Sequence, residues 1–581
     1  MQKEAVLHIP LSNYAHGIDE EHVVFRLRTA RGDMRECLFF YGDRAYGKNP
    51  VVFSSRPMKL AGSDELFDYY ELELHTPYTR ICYYFQLNDG KETLLYYSSI
   101  FTKEMPAERS EFFQLPFNHK ADIARIPDWV DSAVIYNIFP DSFATGRRFI
   151  SKQGITANLG DIATQSRNGG TIRGITENID YIEELGINCI YINPIFAAGE
   201  YHKYDLVDYF RIDPCFGTNA DFKTLVDQCH KRNIKIIIDG VFNHCGWNFF
   251  AFDDVVRNGE ASRYKDWFYH LEFPVIRPDN PEDVPGYTCF AYERKMPKMN
   301  TANREVREYF LKVCRYWLEE FHIDGWRLDV ANEVDYAFWR EFRNTAKSVN
   351  PDCFLIGEVW ESAQSWLKGD MFDSTMNYDF RKNCRDFFAL GKLDAAGFDG
   401  RVTEMRMRYN KNITPGQLNL LDSHDVPRFL SLCGGDMAKF KLAAVFQMTF
   451  IGIPSVFYGD EKCIQGMLEH EYRHPMVWEQ QEDETISELY RKLISFRRSS
   501  NALHCGEYET VRAEPGTGLY MFRRYTGSEQ VTVALNVSGE TVDIASEPDL
   551  TSAEIVLAEG FDDGSRLQPR GFALFRTARK A

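Results

Sequence analysis

Acidic and basic side chains stand at the ends of apolar runs in this sequence, and their types suggest chemistry before any fold is considered. Asp239, Asn243 and His244 follow or close IKIIIDGVF, Arg327 and Asp329 lie at the end of IDGWRLDV, Glu358 near the end of CFLIGEVW, and His424 and Asp425 directly after GQLNLLDS. An ionisable group at the end of a buried strand loses hydration, so it needs a partner or a task. Two carboxylates about 5–5.5 Å apart suit displacement at a sugar carbon with retained configuration, one as nucleophile and the other as acid and then base. Glu358 is flanked by Val359 and Trp360, apolar surroundings of the kind that raise a carboxyl pKa and keep an acid protonated. Arg327 lies two residues before Asp329. Along a strand both side chains share a face, so a fixed cation is expected to keep Asp329 ionised, as a nucleophile requires.

What must position these groups is a set of strands ending on one rim. From about residue 133, apolar runs alternate with helical patterns: AVIYNIF, INCIYINPIF, IKIIIDGVF, IDGWRLDV, CFLIGEVW, STMNYDF, GQLNLLDS and IPSVFYG. Such alternation predicts a parallel sheet covered on both faces, and eight runs predict a (β/α)8 TIM barrel, whose active sites lie at the C-terminal rim. A doubly wound sheet calls for a glycine-rich phosphate turn, and no G-x-G-x-x-G occurs. Asp239 and Asp329 are 90 residues apart, whereas Asp329 and Glu358 are 29 apart, one βα unit. The surplus predicts an inserted subdomain after strand 3. Short aromatic and β-branched runs (HVVFRLRTA, ECLFFYG, YYELELHT, ICYYFQLND) predict an N-terminal β-sandwich, and EYETV, GLYMFRRYT, QVTVALNVS and GFALFRTA predict a C-terminal β-sandwich. The expected division is 1–122 for the N-terminal β-domain, 123–244 and 301–498 for the barrel, 245–300 for the inserted subdomain and 499–581 for the C-terminal all-β domain.

The composition bounds the partners. Lys and Arg number 67 against 85 Asp and Glu, a net charge of −18, which excludes nucleic acid and disfavours an anionic membrane surface while leaving neutral ligands open. The 13 cysteines contain no C-x-x-C pair, so a zinc ribbon or redox dithiol is excluded. Cys189 and Cys353 sit inside apolar runs, as small hydrophobes do in a reducing compartment. The start Met1-Gln2-Lys3-Glu4-Ala5-Val6 has no apolar signal core, and a cytoplasmic location is expected. His470-Glu471-Tyr472-Arg473-His474 spells H-E-x-x-H, but Pro475 argues against a continuing helix, so it reads as a chance match in a substrate-facing loop after strand 8.

DGVFNH (239–244), GWRLDVANE (325–333), IGEVW (356–360) and LLDSHD (420–425) resemble, in order and spacing, the four sequence regions of the α-amylase superfamily, glycoside hydrolase family thirteen. The resemblance implies Asp329 as nucleophile, Glu358 as general acid/base and Asp425 as transition-state stabiliser. It implies Arg327, His244 and His424 as hydrogen-bonding partners of the sugar at the cleavage point, with Asp239 among the substrate-site residues. Tyr204, in HKYDLVDY, resembles the family's stacking Tyr, with His202 nearby. MPKMN (296–300) and VANE (330–333) resemble the neopullulanase, cyclomaltodextrinase and maltogenic amylase subgroup, and the N-terminal domain resembles its starch-binding-type domain. Phe290 matches the subgroup's acceptor-side aromatic residue, and Trp360, directly beyond the expected acid, is the best candidate for a sugar platform.

The implied activity is retaining hydrolysis of α-1,4-glucosidic bonds in cyclomaltodextrins, maltooligosaccharides or pullulan, with transglycosylation. A transferase or α-1,6-acting relative is the near alternative, and a catalytically silent carbohydrate-binding protein the distant one. The implied partners are neutral α-glucan oligosaccharides and a second copy of the chain, docked through the N-terminal domain. Some family members hold calcium in the loop after strand 1. Here that loop reads ATGRRFIS, and Thr171 stands where those members have an Asp ligand. Calcium needs several anionic oxygens and Arg147 and Arg148 repel it, so no metal or cofactor is expected.

Overall fold

The computed structural model describes every residue except 49, 161, 281, 480–483, 546, 548, 549, 551, 552, 563, 564, 580 and 581. The chain forms two compact units, one of Ile126–Arg381 with Gly416–Ser500 and one of Met1–Arg125 with Lys382–Pro415 and Asn501–Ala581.

The first of these is a parallel barrel. Its strands are β1 (Ile135–Ile138), β2 (Cys189–Ile192), β3 (Lys235–Gly240), β4 (Gly325–Leu328), β5 (Phe354–Gly357), β6 (Ser374–Thr375), β7 (Leu418–Leu420) and β8 (Ile453–Phe457). Hydrogen bonding runs β6-β5-β4-β3-β2-β1-β8-β7. A parallel bridge between Met376 and Leu418 joins β6 to β7, where the Asn377 N–H donates to the Leu418 carbonyl at 2.8 Å. All eight expected runs therefore contribute a strand. They read as continuous apolar stretches because both faces are covered: every residue of β4 and β5 is buried. Tyr191, Ile237, Phe354, Ile356 and Leu418 fill the interior.

Between β3 and the helix Arg304–Phe321 lies the insertion, with a helix at Phe250–Asn258 and a hairpin of Cys289–Phe290 and Glu293–Pro297. It is sewn back onto the segment after β3. The Cys245 N–H donates to Pro297 O at 3.0 Å, and the Met299 N–H to Asn243 O at 2.9 Å. The helix Arg304–Phe321 is capped by Asn303, and its Val306, Phe310, Val313, Trp317 and Phe321 recur at helical spacing on the buried face.

In the other unit, the N-terminal part is a sandwich of two antiparallel sheets. One contains His22–Ala30 and Phe67–His75, the other Glu36–Asp43 and Ile81–Asn88. Phe25 and Phe39 meet between them at 4.3 Å. The C-terminal strands join one antiparallel network through the long strand Arg566–Ala578, which pairs with Glu529–Asn536, Val542–Asp543 and Glu554–Phe561. Lys382–Pro415, which the sequence-based division places with the barrel, packs in this unit: Asp399 accepts from Thr510 at 2.6 Å and Tyr520 at 3.0 Å. Among the described residues no helix is long and apolar enough to cross a membrane.

A charge network around Glu71 is expected to make this unit acid-sensitive. Arg26 Nε donates to Glu71 at 2.8 Å, and Lys411 Nζ lies 3.5 Å from Glu71, 3.0 Å from Glu73 and 2.8 Å from Glu507. Burial pushes Glu71 up, but the Arg26 and Lys411 charges outweigh it and hold the carboxyl at about 2, below its ordinary 4.5. A depressed folded pKa stabilises fully above the unfolded value and loses that contribution as pH falls through the folded one. Glu71→Gln is therefore expected to lower the melting temperature at neutral pH and to flatten its decline between pH 4.5 and about 2. Parallel melts across that window check it.

Candidate active site

The centre of the barrel rim is built around one guanidinium. Arg327, on β4, has no exposed side-chain surface. Its Nη1 lies 2.7 Å from Asp329 and 3.0 Å from Asp239, and its Nη2 lies 2.7 Å from Glu358 and 3.8 Å from Asp425. Four carboxylates from four strand ends thus face one cation.

The chain turns sharply after β4. The Asp329 N–H still continues the ladder, donating to Gly240 O at 3.0 Å. Val330 then adopts the left-handed conformation, with φ 45° and ψ 45°. This conformation is rare for a β-branched residue and costs about 1–3 kcal/mol. Glu358 holds the turn: its Oε2 accepts from the Val330 N–H at 2.9 Å and its carbonyl from the Ala331 N–H at 3.1 Å.

Electrostatics separate the carboxylates into two kinds. Burial pushes Asp329 well above the usual range; Arg327 opposes it, and the Glu358 and Asp239 charges push further up. Burial likewise raises Glu358, against Arg327 and the Val330 N–H. Arg327 pulls Asp329 toward the ionised form, as its place on β4 leads one to expect, and burial acts against it. The guanidinium is shared, and burial together with the mutual repulsion of Asp329 and Glu358 favours a proton on one of the two. Burial also acts on Asp425, but His424 Nε2 at 3.0 Å, Arg327 and Arg473 at 3.6 Å hold it well below the usual carboxylate range. Two carboxyls pushed up by burial beside a third held down by cations is the division that acid–base chemistry on a sugar needs.

A layer of rings surrounds the carboxylates. Asp239 accepts from Tyr191 at 2.7 Å and Tyr204 at 3.1 Å. Tyr204 also lies 2.5 Å from His424 Nε2, and the two rings are parallel at 5.7 Å. His244 stacks on Phe290 at 5.0 Å. Burial lowers His202 to about 4 and His244 to about 3, so both imidazoles are neutral hydrogen-bonding groups. The Trp360 indole lies on Tyr378 at 3.8 Å, and its N–H donates to Glu358 at 3.2 Å.

Above these groups opens a cavity of about 430 Å³. The structure brings Asp329, Glu358, Asp425, His202, Tyr204, His244, Phe290 and Trp360 together as its lining. Asp239, Arg327 and His424 are fully buried beneath it. His244 Nε2 and Asp329 Oδ2 are buried without a hydrogen-bond partner, the state expected of groups that await a ligand hydroxyl.

Sequence reasoning misses several lining residues, among them Met296, Glu333, Glu469 and Arg473. Arg473 lies inside the H-E-x-x-H match. A short helix, Glu469–Tyr472, presents it so that it pairs with Glu469 at 2.6 Å as well as approaching Asp425. The useful residue of that stretch is the arginine. Among the described residues no group of three or more His, Cys, Asp or Glu could hold a metal ion. The available signal was position alone, in the loop after β8. Arg147 pairs with Asp180 at 2.5 Å and Arg148 with Glu184 at 3.2 Å, while Thr171 caps the helix Ile172–Thr176 by accepting from the Gly174 N–H.

A parallel barrel with this carboxylate cluster under a rim cavity defines a barrel-type glycoside hydrolase. The profile of the alpha amylase catalytic domain matches residues 137–505, and that of the alpha amylase N-terminal ig-like domain matches residues 1–119. The chain belongs to the α-amylase family. It is 40% identical to a cyclomaltodextrinase of Geobacillus thermopakistaniensis (strain MAS1), with 99% of each chain covered. It is 43% identical to neopullulanase 2 of Thermoactinomyces vulgaris, covering 93% of this chain and 92% of that one. A solved cyclomaltodextrinase structure superposes with a TM-score of 0.91 at 36% identity, covering 99% of this chain and all of that one.

Proposed function

We propose that this protein is a retaining hydrolase of α-1,4-glucosidic bonds in cyclomaltodextrins, maltooligosaccharides and pullulan, with transglycosylation as a side reaction. The observation that carries the reading is the meeting of Asp329, Glu358 and Asp425, from three strand ends, around Arg327 on one cavity. The names of the full-length relatives, cyclomaltodextrinase and neopullulanase, support the substrate class. In the first step Asp329 attacks the anomeric carbon while Glu358 gives its proton to the departing glycosidic oxygen. A glycosyl ester forms and the C–O bond breaks. In the second step Glu358 takes a proton from water, or from a sugar hydroxyl in transfer, and the ester is released with retained configuration. Asp425 remains charged throughout and favours the oxocarbenium-like transition state.

The reading extends to a homodimer formed through the N-terminal β-domain, on the resemblance to the subgroup, and to a cytoplasmic location, which the free state of all the cysteines supports. It assigns no calcium to the loop after β1. Support for this comes from Arg147 and Arg148, whose charges lie in that loop and are paired with carboxylates of the neighbouring helix.

One experiment tests the activity and the absence of a calcium requirement: product analysis on β-cyclodextrin, pullulan, maltotriose and starch, with and without a chelator. The expected result is fast opening of cyclodextrin, panose from pullulan, slow attack on starch, an α-anomeric first product by NMR, and no change on chelation. A β-anomeric first product overturns the mechanism. Cleavage confined to α-1,6 bonds overturns the substrate class.

A further inference from the structure

The loops after β7 and β8 hold each other through two arginines, and the mechanism uses neither contact. Arg428 lies three residues beyond Asp425 in the loop after β7, and its side chain has no exposed surface. Its Nε donates to Tyr472 O at 3.0 Å and its backbone N–H to Gly466 O at 3.0 Å, both in the loop after β8. The residue next to Tyr472 returns the contact. Arg473 Nε donates to His424 O at 2.8 Å, in the loop after β7, and its Nη2 lies 3.6 Å from Asp425.

Arg428 is anchored at the feet of the same two loops. Its Nη1 lies 2.9 Å from Asp460, three residues beyond β8, and its guanidinium lies 4.0 Å from the ring of Phe457. Asp422, two residues beyond β7, accepts from the Phe429 N–H at 2.6 Å and so closes the stretch that carries His424 and Asp425. Burial and then the Asp422 charge push Asp460 well above the usual carboxylate range, against the pull of Arg428. A guanidinium so buried cannot leave these carboxyls without stranding its charge, so the two contacts that it makes to the loop after β8 are fixed in place.

We propose that Arg428 is a positioning residue for Asp425: clasped with Arg473, it locks the loops after β7 and β8 in one register and so sets where Asp425 meets the positive charge that develops on the sugar. The inference rests on the proposed function for that charge and for the choice of substrate.

The test compares wild type with Arg428→Lys, Arg473→Met and the double variant, by kinetics on maltotriose and by thermal melts. Lysine keeps a charge for Asp460 but is a point charge, without the Nε–H that reaches Tyr472. Arg428→Lys is expected to melt near wild type yet to lower kcat about tenfold with KM little changed, because misplacing a group that acts on the transition state costs rate rather than binding. The double variant is expected to match Arg473→Met in kcat, since both changes undo one clasp. A wild-type kcat in Arg428→Lys, or losses that multiply in the double variant, overturns the inference. An Arg428→Lys protein that fails to fold overturns it too, since the residue is then an ordinary part of the core. If wild type itself leaves maltotriose intact, the proposed function falls instead. A crystal structure of Arg428→Lys then decides the clasp: the separation of Arg473 Nη2 from Asp425, 3.6 Å here, is expected to lengthen, and an unchanged one refutes it.

Discussion

Glu358→Gln is expected to lower kcat on maltooligosaccharides about 10²–10⁴-fold while leaving their binding intact. The amide keeps the shape of the side chain and can still accept from the Val330 N–H, so the turn beyond β4 is preserved. What disappears is the proton that the leaving oxygen needs. Because burial raises Glu358 above its ordinary 4.5, the wild-type basic limb of kcat/KM is expected above the usual carboxylate range. In the variant that limb is expected to vanish. An α-glucosyl fluoride, whose leaving group needs no proton, is expected to regain the first step. Steady-state and burst kinetics on the two substrates check this, and equal losses on both remove Glu358 from the acid role.

The second large effect belongs to Arg327→Gln. Removing the shared cation leaves Asp239, Asp329, Glu358 and Asp425 together in a buried centre. Breaking a buried ion pair from one side costs about 3–5 kcal/mol, and here several partners lose their counter-charge at once. The pH dependence follows in sign. Without the guanidinium the folded-state pKa values of Asp329 and Glu358 rise further above the unfolded ones, so the folded protein binds more protons. Its stability then falls as pH rises. The variant is expected to be inactive and to melt at a higher temperature at pH 5 than at pH 8, more steeply than wild type. Superimposable melting profiles for the two proteins across that range refute the central role given to Arg327.

Much of the barrel was legible because buried parallel strands leave continuous apolar runs, and because carboxylates placed directly after such runs need a reason to be there. All eight runs became strands, and Asp329, Glu358 and Asp425 came to one cavity. The electrostatics were only partly legible, for a physical reason. Spacing along β4 reveals one partner for Arg327, whereas the fold brings three more from other strand ends, and desolvation depends on the whole surrounding. Arg473, Tyr378 and the Arg428–Tyr472 tie were not legible either. Each is a contact between segments remote in sequence, made by a residue type that is usually an ordinary surface or core group.

The left-handed turn at Val330 has a consequence for the order in which the molecule assembles. A valine does not hold that conformation unaided, and the groups that hold it, the carboxylate and carbonyl of Glu358, arrive only with β5. A folding intermediate with β4 in place but β5 undocked therefore lacks the turn that sets Asp329. Nucleophile and acid are thus tied together through one turn, and whatever undocks β5 is expected to displace Asp329 as well.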